Sequence, residues 1–237
     1  VAVAVGKRWE IWNVSAVGTS WPEGAAVSAW RAGLTPGSAA MVNILCGVAC
    51  VLAFTQPWLV QRPMWRLFVF YFGGFSLFSG FGYLMVDPLF FKPGETQLGD
   101  WKAIVQLLGG GWSVRLPIAA VGMAGVMWGF FWVPRAALHF GEGELDRASR
   151  IRVALPLLVV PYLVVNAVMT VLAFWHPLGI RGVWLTVFKQ WFGFFGFFWG
   201  FFMASYWLAP KPAHAARTPL PSEINLTWGA ASIAVLA

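Results

Sequence analysis

Charge is what this chain has least of. Asp, Glu, Lys and Arg make up 11% of its 237 residues, against about 25% in an ordinary soluble domain, so a soluble globular fold is excluded. Cysteine is nearly absent too: only Cys46 and Cys50 occur. Their i, i+4 spacing inside an apolar run puts them on one helix face as small packing residues, which excludes a disulfide framework or a cysteine metal site. The three histidines, His139, His176 and His214, fall at run ends or in loops. A haem buried among membrane helices needs axial ligands at depth, commonly His, and none is placed there. No apolar run carries an Asp, Glu, Lys or Arg at mid-depth. Such charges are expensive in hydrocarbon and mark ion or proton paths, so their lack argues against a pump or proton-coupled transporter. His139, Glu142, Glu144 and Asp146 share the segment ALHFGEGELDRASR. One His with scattered carboxylates is a poor metal set, and the segment reads as a solvated loop.

The +7 net charge points to lipid rather than nucleic acid. No run of basic residues forms a nucleic-acid arm, and the lysines and arginines flank apolar runs, where they meet anionic headgroups. With five spans, one membrane face collects Lys7, Arg8, Arg31, Lys92, Lys102, Arg115, Arg181 and Lys189. The other collects Arg62, Arg66, Arg135, Arg147, Arg150, Arg152, Lys211 and Arg217, so the balance of basic residues assigns no orientation.

What the chain has in abundance is apolar and aromatic surface: 59% hydrophobic residues, with 16 Trp and 21 Phe. Five runs are readable as spans: Ala39 to Leu59, Trp65 to Val86, Leu116 to Val133, Val153 to Phe174 and Trp191 to Ala209. The expected fold is all-α, a polytopic membrane bundle of about five transmembrane helices with interfacial segments. Residues 1–38 form an interfacial N-terminal segment, 39–209 the bundle, and 210–237 a tail with a partial sixth helix. Within 1–38, Arg8 to Ser15 alternates in the manner of a short strand or of a segment lying in the interface. Thr35-Pro36-Gly37 signals a turn, with Ser38 capping the next helix. The short link Gln61-Arg62-Pro63 makes the first two spans an antiparallel hairpin. Trp101 to Leu108 is too short to cross and is expected in the interface.

Trp65 to Val86 carries one charge, Arg66, at its leading edge, and Pro88 is expected to stop the helix at Asp87. The following loop closes on Gly99-Asp100-Trp101, so Asp87 and Asp100 come to one membrane edge. Glycine marks the packing faces. Gly73, Gly74, Gly80 and Gly82 thin the second span, which should therefore be central. Gly125 with Gly129, and Gly196 with Gly200, form GxxxG pairs, and Gly193 extends the latter stripe. Trp128 and Phe130 are expected between helices. Asn43 and Asn166, the deepest polar groups, read as helix-to-helix hydrogen bonds. Pro156 and Pro161 break the amide ladder of the fourth span and release carbonyls that need another donor, such as Asn166 or water.

VAVAVGKRWEIWNVSAVGT resembles the segment that follows the zinc-binding helix of site-2-protease-like membrane metalloproteases. LTPGSAAMVNILCGVACVLAF is similar to that family's next membrane helix. FSLFSGFGYLMVDP with the later GDW resembles the region that supplies a third ligand. The resemblance covers about residues 1–108 and implies zinc, with Asp87 or Asp100 as that ligand. The family's H-E-x-x-H is absent from this chain. Its two His ligands and Glu base would have to lie upstream of Val1, which is not a Met.

The reading is thus a non-catalytic integral membrane protein of the bacterial inner (cytoplasmic) membrane. It is an accessory or structural subunit that packs with lipids and other membrane subunits and binds no cofactor. The alternative is a fragment or relative of the zinc metalloprotease family.

Overall fold

Proline and glycine decide where these helices begin, bend and touch. The computed structural model describes residues 8–12, 17–20, 28–92, 100–141, 146–175 and 179–207. The tail from 210 onward, with the expected sixth helix, lies outside the described residues, as do His176, His214, Glu142 and Glu144.

The alternating N-terminal segment forms strand β1 (Arg8–Trp12), which pairs antiparallel with β2 (Val17–Ser20). Helix α1 (Ala29–Ala53) follows. It runs straight through Thr35-Pro36-Gly37, so no turn forms there and Ser38 is not a cap. One missing amide donor at Pro36 is not enough to end a helix whose apolar part, Gly37–Ala53, is still to come. The run ends at Ala53 rather than Leu59. Gln56 is held extended ahead of Pro57 (φ −67°, ψ 138°), and Pro57 starts the short α2 (Pro57–Val60).

Helix α3 (Pro63–Leu89) also starts on a proline, where the lost amide had no partner to lose. It continues through Pro88 to Leu89, so the expected stop at Asp87 falls two residues early. Helix α4 (Asp100–Leu107) is the short segment expected after Gly99. Helix α5 (Trp112–Leu138) comes next. The fourth run is one continuous helical path. Helix α6 (Arg147–Ala154) passes through a π-helical turn (Leu155–Val159) into α7 (Val160–Ala173). The wider π-turn falls on Pro156, where the ordinary ladder has lost a donor.

Three of these paths are long and apolar enough to cross a membrane: Pro63–Leu89, Trp112–Leu138 and Arg147–Ala173. The chain is an integral membrane protein built of helices, with one small hairpin at its start. The fifth expected run differs. Helix α8 (Ile180–Gly193) begins well before Trp191, and the path breaks at Phe194 (φ −103°, ψ 11°). It resumes as α9 (Phe195–Phe202) and closes on a second π-turn (Met203–Trp207). The break follows Gly193, the poorest helix former nearby, and sets the Phe194 ring edge-on to Phe75 at 4.7 Å.

Helix α3 is the axis of the bundle. Its most apolar stretch is 56% buried by the rest of the chain, against 33% for α5 and 39% for the α6–α7 path. Helices α1 and α5 flank it, both antiparallel to it. Phe54, Phe70, Tyr71, Phe78 and Phe197 form the aromatic centre of the core. Phe197 stacks on Phe75 at 4.6 Å and meets Phe70 edge-on at 6.1 Å. Trp128, expected inside, is exposed, whereas Phe130 packs against Phe78 at 5.5 Å. Trp128 lies one position before the Gly129 contact face and so turns to the outer surface.

Candidate functional site: polar closures inside the bundle

In hydrocarbon, a backbone carbonyl without a donor costs several kcal/mol. Helix ends and prolines create such carbonyls. Three buried polar side chains, Arg66, Tyr71 and Arg115, sit on such carbonyls.

At one edge, α3 ends on Pro88 and Leu89. Arg115, in the first turn of α5, donates from Nε to the Pro88 carbonyl at 2.6 Å and from Nη2 to the Leu89 carbonyl at 2.7 Å. A cation at a helix C-terminus also opposes the helix dipole. The guanidinium lies 3.9 Å from the Trp112 ring centroid and 5.6 Å from that of Phe91. Asp87, the residue before Pro88, is buried, and its Oδ2 accepts from the Trp101 amide at 3.0 Å. Its carboxylate therefore faces the N-terminus of α4, where negative charge is favoured. Asp87 and the start of α4 are thus brought together, as the loop closure implied. Asp100 is the first residue of α4, and its side chain lies outside the description.

At the opposite edge Arg66 mirrors Arg115. It is the largest fully buried side chain, and its Nε donates to the Phe54 carbonyl, just past the end of α1, at 3.2 Å. Its guanidinium lies 4.4 Å from the Phe54 ring centroid and 5.9 Å from that of Phe140. His139 packs its ring against Phe54 at 5.8 Å.

Between the edges, Tyr71 of α3 donates its hydroxyl to the Leu157 carbonyl at 3.0 Å. The residue four positions after Leu157 is Pro161, which has no amide to give. The donor expected from Asn166 thus comes from Tyr71. Asn166 instead donates from Nδ2 to the Tyr162 carbonyl in its own helix at 2.7 Å. Tyr162 donates to the Trp191 carbonyl in the last turn of α8 at 2.7 Å, and Trp191 Nε1 donates to Thr170 Oγ1 at 3.1 Å. Asn43 of α1 donates to Ser79 of α3 at 3.3 Å.

Asp146, outside the membrane path, caps α6 by accepting from the Ser149 amide at 2.8 Å. Hydrogen bonds from Ser149, side chain and amide, hold its carboxyl below the ordinary carboxylate range, helped by Arg152 and Arg150.

The glycines divide by what they touch. A methyl on Gly73 would lie 2.7 Å from Cys50 Cβ, and one on Gly74 would lie 2.7 Å from the Phe197 ring. On Gly129 it would lie 2.9 Å from the Phe78 ring. On Gly125 it would run into the Phe81 ring, and on Gly196 into the Phe78 ring. Gly200 is buried with ordinary clearance of 3.6 Å to Leu158, Pro134 and Val133, and Gly193 meets nothing within 4 Å. The tightest approach to another helix's backbone is one the pairwise GxxxG pattern passes over: Gly122 lies against the α3 backbone at Leu84 and Met85. The signal for it was the spacing Gly122, Gly125, Gly129, one face of one helix. Gly80 similarly admits the α1 backbone: a methyl there would lie 2.9 Å from the Ile44 amide nitrogen. Gly82, which also thinned the span in sequence, meets nothing within 4 Å.

Arg66, Arg115, Tyr71 and Tyr162 were not readable as interacting residues from sequence. The usable signal was an Arg in the first turn of an apolar run, or a Tyr within one, in a chain with prolines in its other helices. Among the described residues no group of three or more His, Cys, Asp or Glu side chains converges as metal ligands. No protein-family model, curated protein or solved structure matches this chain.

Proposed function

We propose that this protein is a structural or accessory subunit of a larger assembly in a membrane, with the bacterial inner membrane as its setting. One observation carries the reading: its buried charges are engaged in closing its own fold. Arg66 and Arg115 bind helix-end carbonyls, and Asp87 binds the α4 amide. Such groups are positioned to hold helices rather than to move protons or attack a substrate. The α1, α8 and α9 paths complete a five-pass bundle, with α8 and α9 crossing as two broken halves. Helix α8 turns Ile180, Trp184, Phe188 and Phe192 outward, one per turn, and this ridge is where another membrane subunit packs. The test is the mass of the particle extracted from native membranes without detergent. A stoichiometric complex well above the 26.1 kDa chain supports the reading, and Trp184→Ser with Phe188→Ser should release the chain from it. A lone chain in every preparation would refute it.

A second reading has its own support. The β1–β2 hairpin stands where the metalloprotease resemblance has a β-like stretch, and Asp87 is buried at the edge where that family supplies a third ligand. The reading requires an H-E-x-x-H helix encoded just before Val1. Finding it, with zinc bound to the longer chain and lost in Asp87→Ala, would replace the subunit proposal. An initiating Met in its place would end the protease reading.

A further inference from the structure

Helices α7 and α8 form an antiparallel pair whose facing side chains are unusually polar. Two hydrogen bonds set their register. Tyr162, one turn before Asn166, binds the Trp191 carbonyl, and Thr170, one turn after Asn166, receives the Trp191 indole. Asn166 is thereby level with Trp191 and with its neighbour Gln190. Both amides are buried: Asn166 is 0% exposed and Gln190 9%. Among the described residues, Asn166 Oδ1 and Gln190 Oε1 accept no hydrogen bond.

The orientation of Asn166 is settled by its partner. Its Nδ2 lies 2.7 Å from the Tyr162 carbonyl, which can only accept. Flipping the amide would set two oxygens against each other. Oδ1 is therefore the buried acceptor left without a donor. Around it lie apolar side chains: Val165 and Met169 are buried, with Phe75 and Leu172 packed on them. A buried amide oxygen without a donor is destabilising, and the register above brings the two residues to neighbouring levels of the α7–α8 pair.

We propose that α7 and α8 enclose a bound water that donates one hydrogen to Asn166 Oδ1 and the other to Gln190 Oε1. Water has two donors for the two acceptors and is small enough to be enclosed between packed helices. The two acceptors are neutral amide oxygens. A bare cation there would lose its hydration with no carboxylate identified in the layer to offset it, which favours a neutral ligand. Along the two helices the water sits between two irregular points, the π-turn (Leu155–Val159) that precedes α7 and the break at Phe194 that follows α8.

The experiment is water-edited solid-state NMR on the protein in lipid bilayers, following magnetisation transfer from water to side-chain amide nitrogens. In the wild type, Asn166 Nδ2 and Gln190 Nε2 should build up several-fold faster than the core amides of Phe78 and Val133. In Gln190→Met, which keeps length but removes the acceptor, transfer to Asn166 should fall to the core rate. Build-up at Asn166 no faster than at Phe78 and Val133 in the wild type would overturn the proposal. Fast build-up that persists unchanged in Gln190→Met would also overturn it, because the water would then not bridge the two amides.

Discussion

Replacing Tyr71 with Phe removes a single hydroxyl from the centre of the bundle. Tyr71 is 2% exposed, and its ring stacks on Phe75 at 6.5 Å and on Phe197 at 6.3 Å. Phe keeps that ring and leaves almost no cavity, so the perturbation isolates the hydrogen bond to the Leu157 carbonyl. The carbonyl cannot turn to its usual helical donor, because that residue is Pro161. Two magnitudes bracket the effect. Side-chain hydrogen bonds between membrane helices average ~0.6 kcal/mol, because the alternative state also finds partners. A buried acceptor stripped of its donor costs about 1–3 kcal/mol. Pro161 denies this carbonyl its usual substitute, so Tyr71→Phe should destabilise by about 1–2 kcal/mol. Tyr71→Ala, which also loses the ring, should cost about 3–5 kcal/mol. Reversible unfolding in bicelles by SDS titration measures both. If Tyr71→Phe stays within ~0.5 kcal/mol of wild type, the range of a surface substitution, the carbonyl-closure reasoning is wrong for this site.

The glycines give a graded series in the same assay. Gly122→Ala meets backbone and Gly196→Ala meets an enclosed ring, so both should destabilise by about 1–3 kcal/mol. Gly193→Ala meets nothing and should be neutral or stabilising by a few tenths. Equal effects at Gly122 and Gly193 would contradict the packing described. Asp146 supplies a pH dependence. Its carboxyl is held below its ordinary value of 3.8, so the cap is intact at neutral pH and is lost only as pH falls through that depressed value. The Ser149 amide resonance should titrate with a midpoint below 3.8, and the shift should vanish in Asp146→Asn. A midpoint at or above the ordinary value would refute the cap.

The central position of α3 was legible because of the four glycines in its apolar run, three of which, Gly73, Gly74 and Gly80, admit neighbours. The α6–α7 crossing was legible from hydropathy alone, and the prolines within it foretold irregular geometry. The ends were not legible. A proline stops a helix only when the residue before it leaves helical geometry. Gln56 does so before Pro57, but Pro36 and Pro88 are absorbed within their helices. Nor could sequence show that the fifth run breaks at Phe194 after Gly193, since Gly196 and Gly200 in the same run lie within unbroken helix. The candidate site was read from the acidic side, at Asp87 and Asp100, because carboxylates suggest chemistry. The structure puts the weight on donors, Arg66, Arg115 and Tyr71. What selects them is the position of unpaired carbonyls, which depends on where helices end and pack.

The account rests on buried polar groups serving the fold, and Arg115 tests this most directly. Arg115 closes two carbonyls at the end of α3. The measurement is hydrogen–deuterium exchange by mass spectrometry across 84–107, comparing wild type with Arg115→Met in nanodiscs. If Arg115 holds that edge, the end of α3 and the α4 amides should lose protection together, while α6–α7 stays unchanged. Unchanged exchange across 84–107 in a folded Arg115→Met protein would contradict the account.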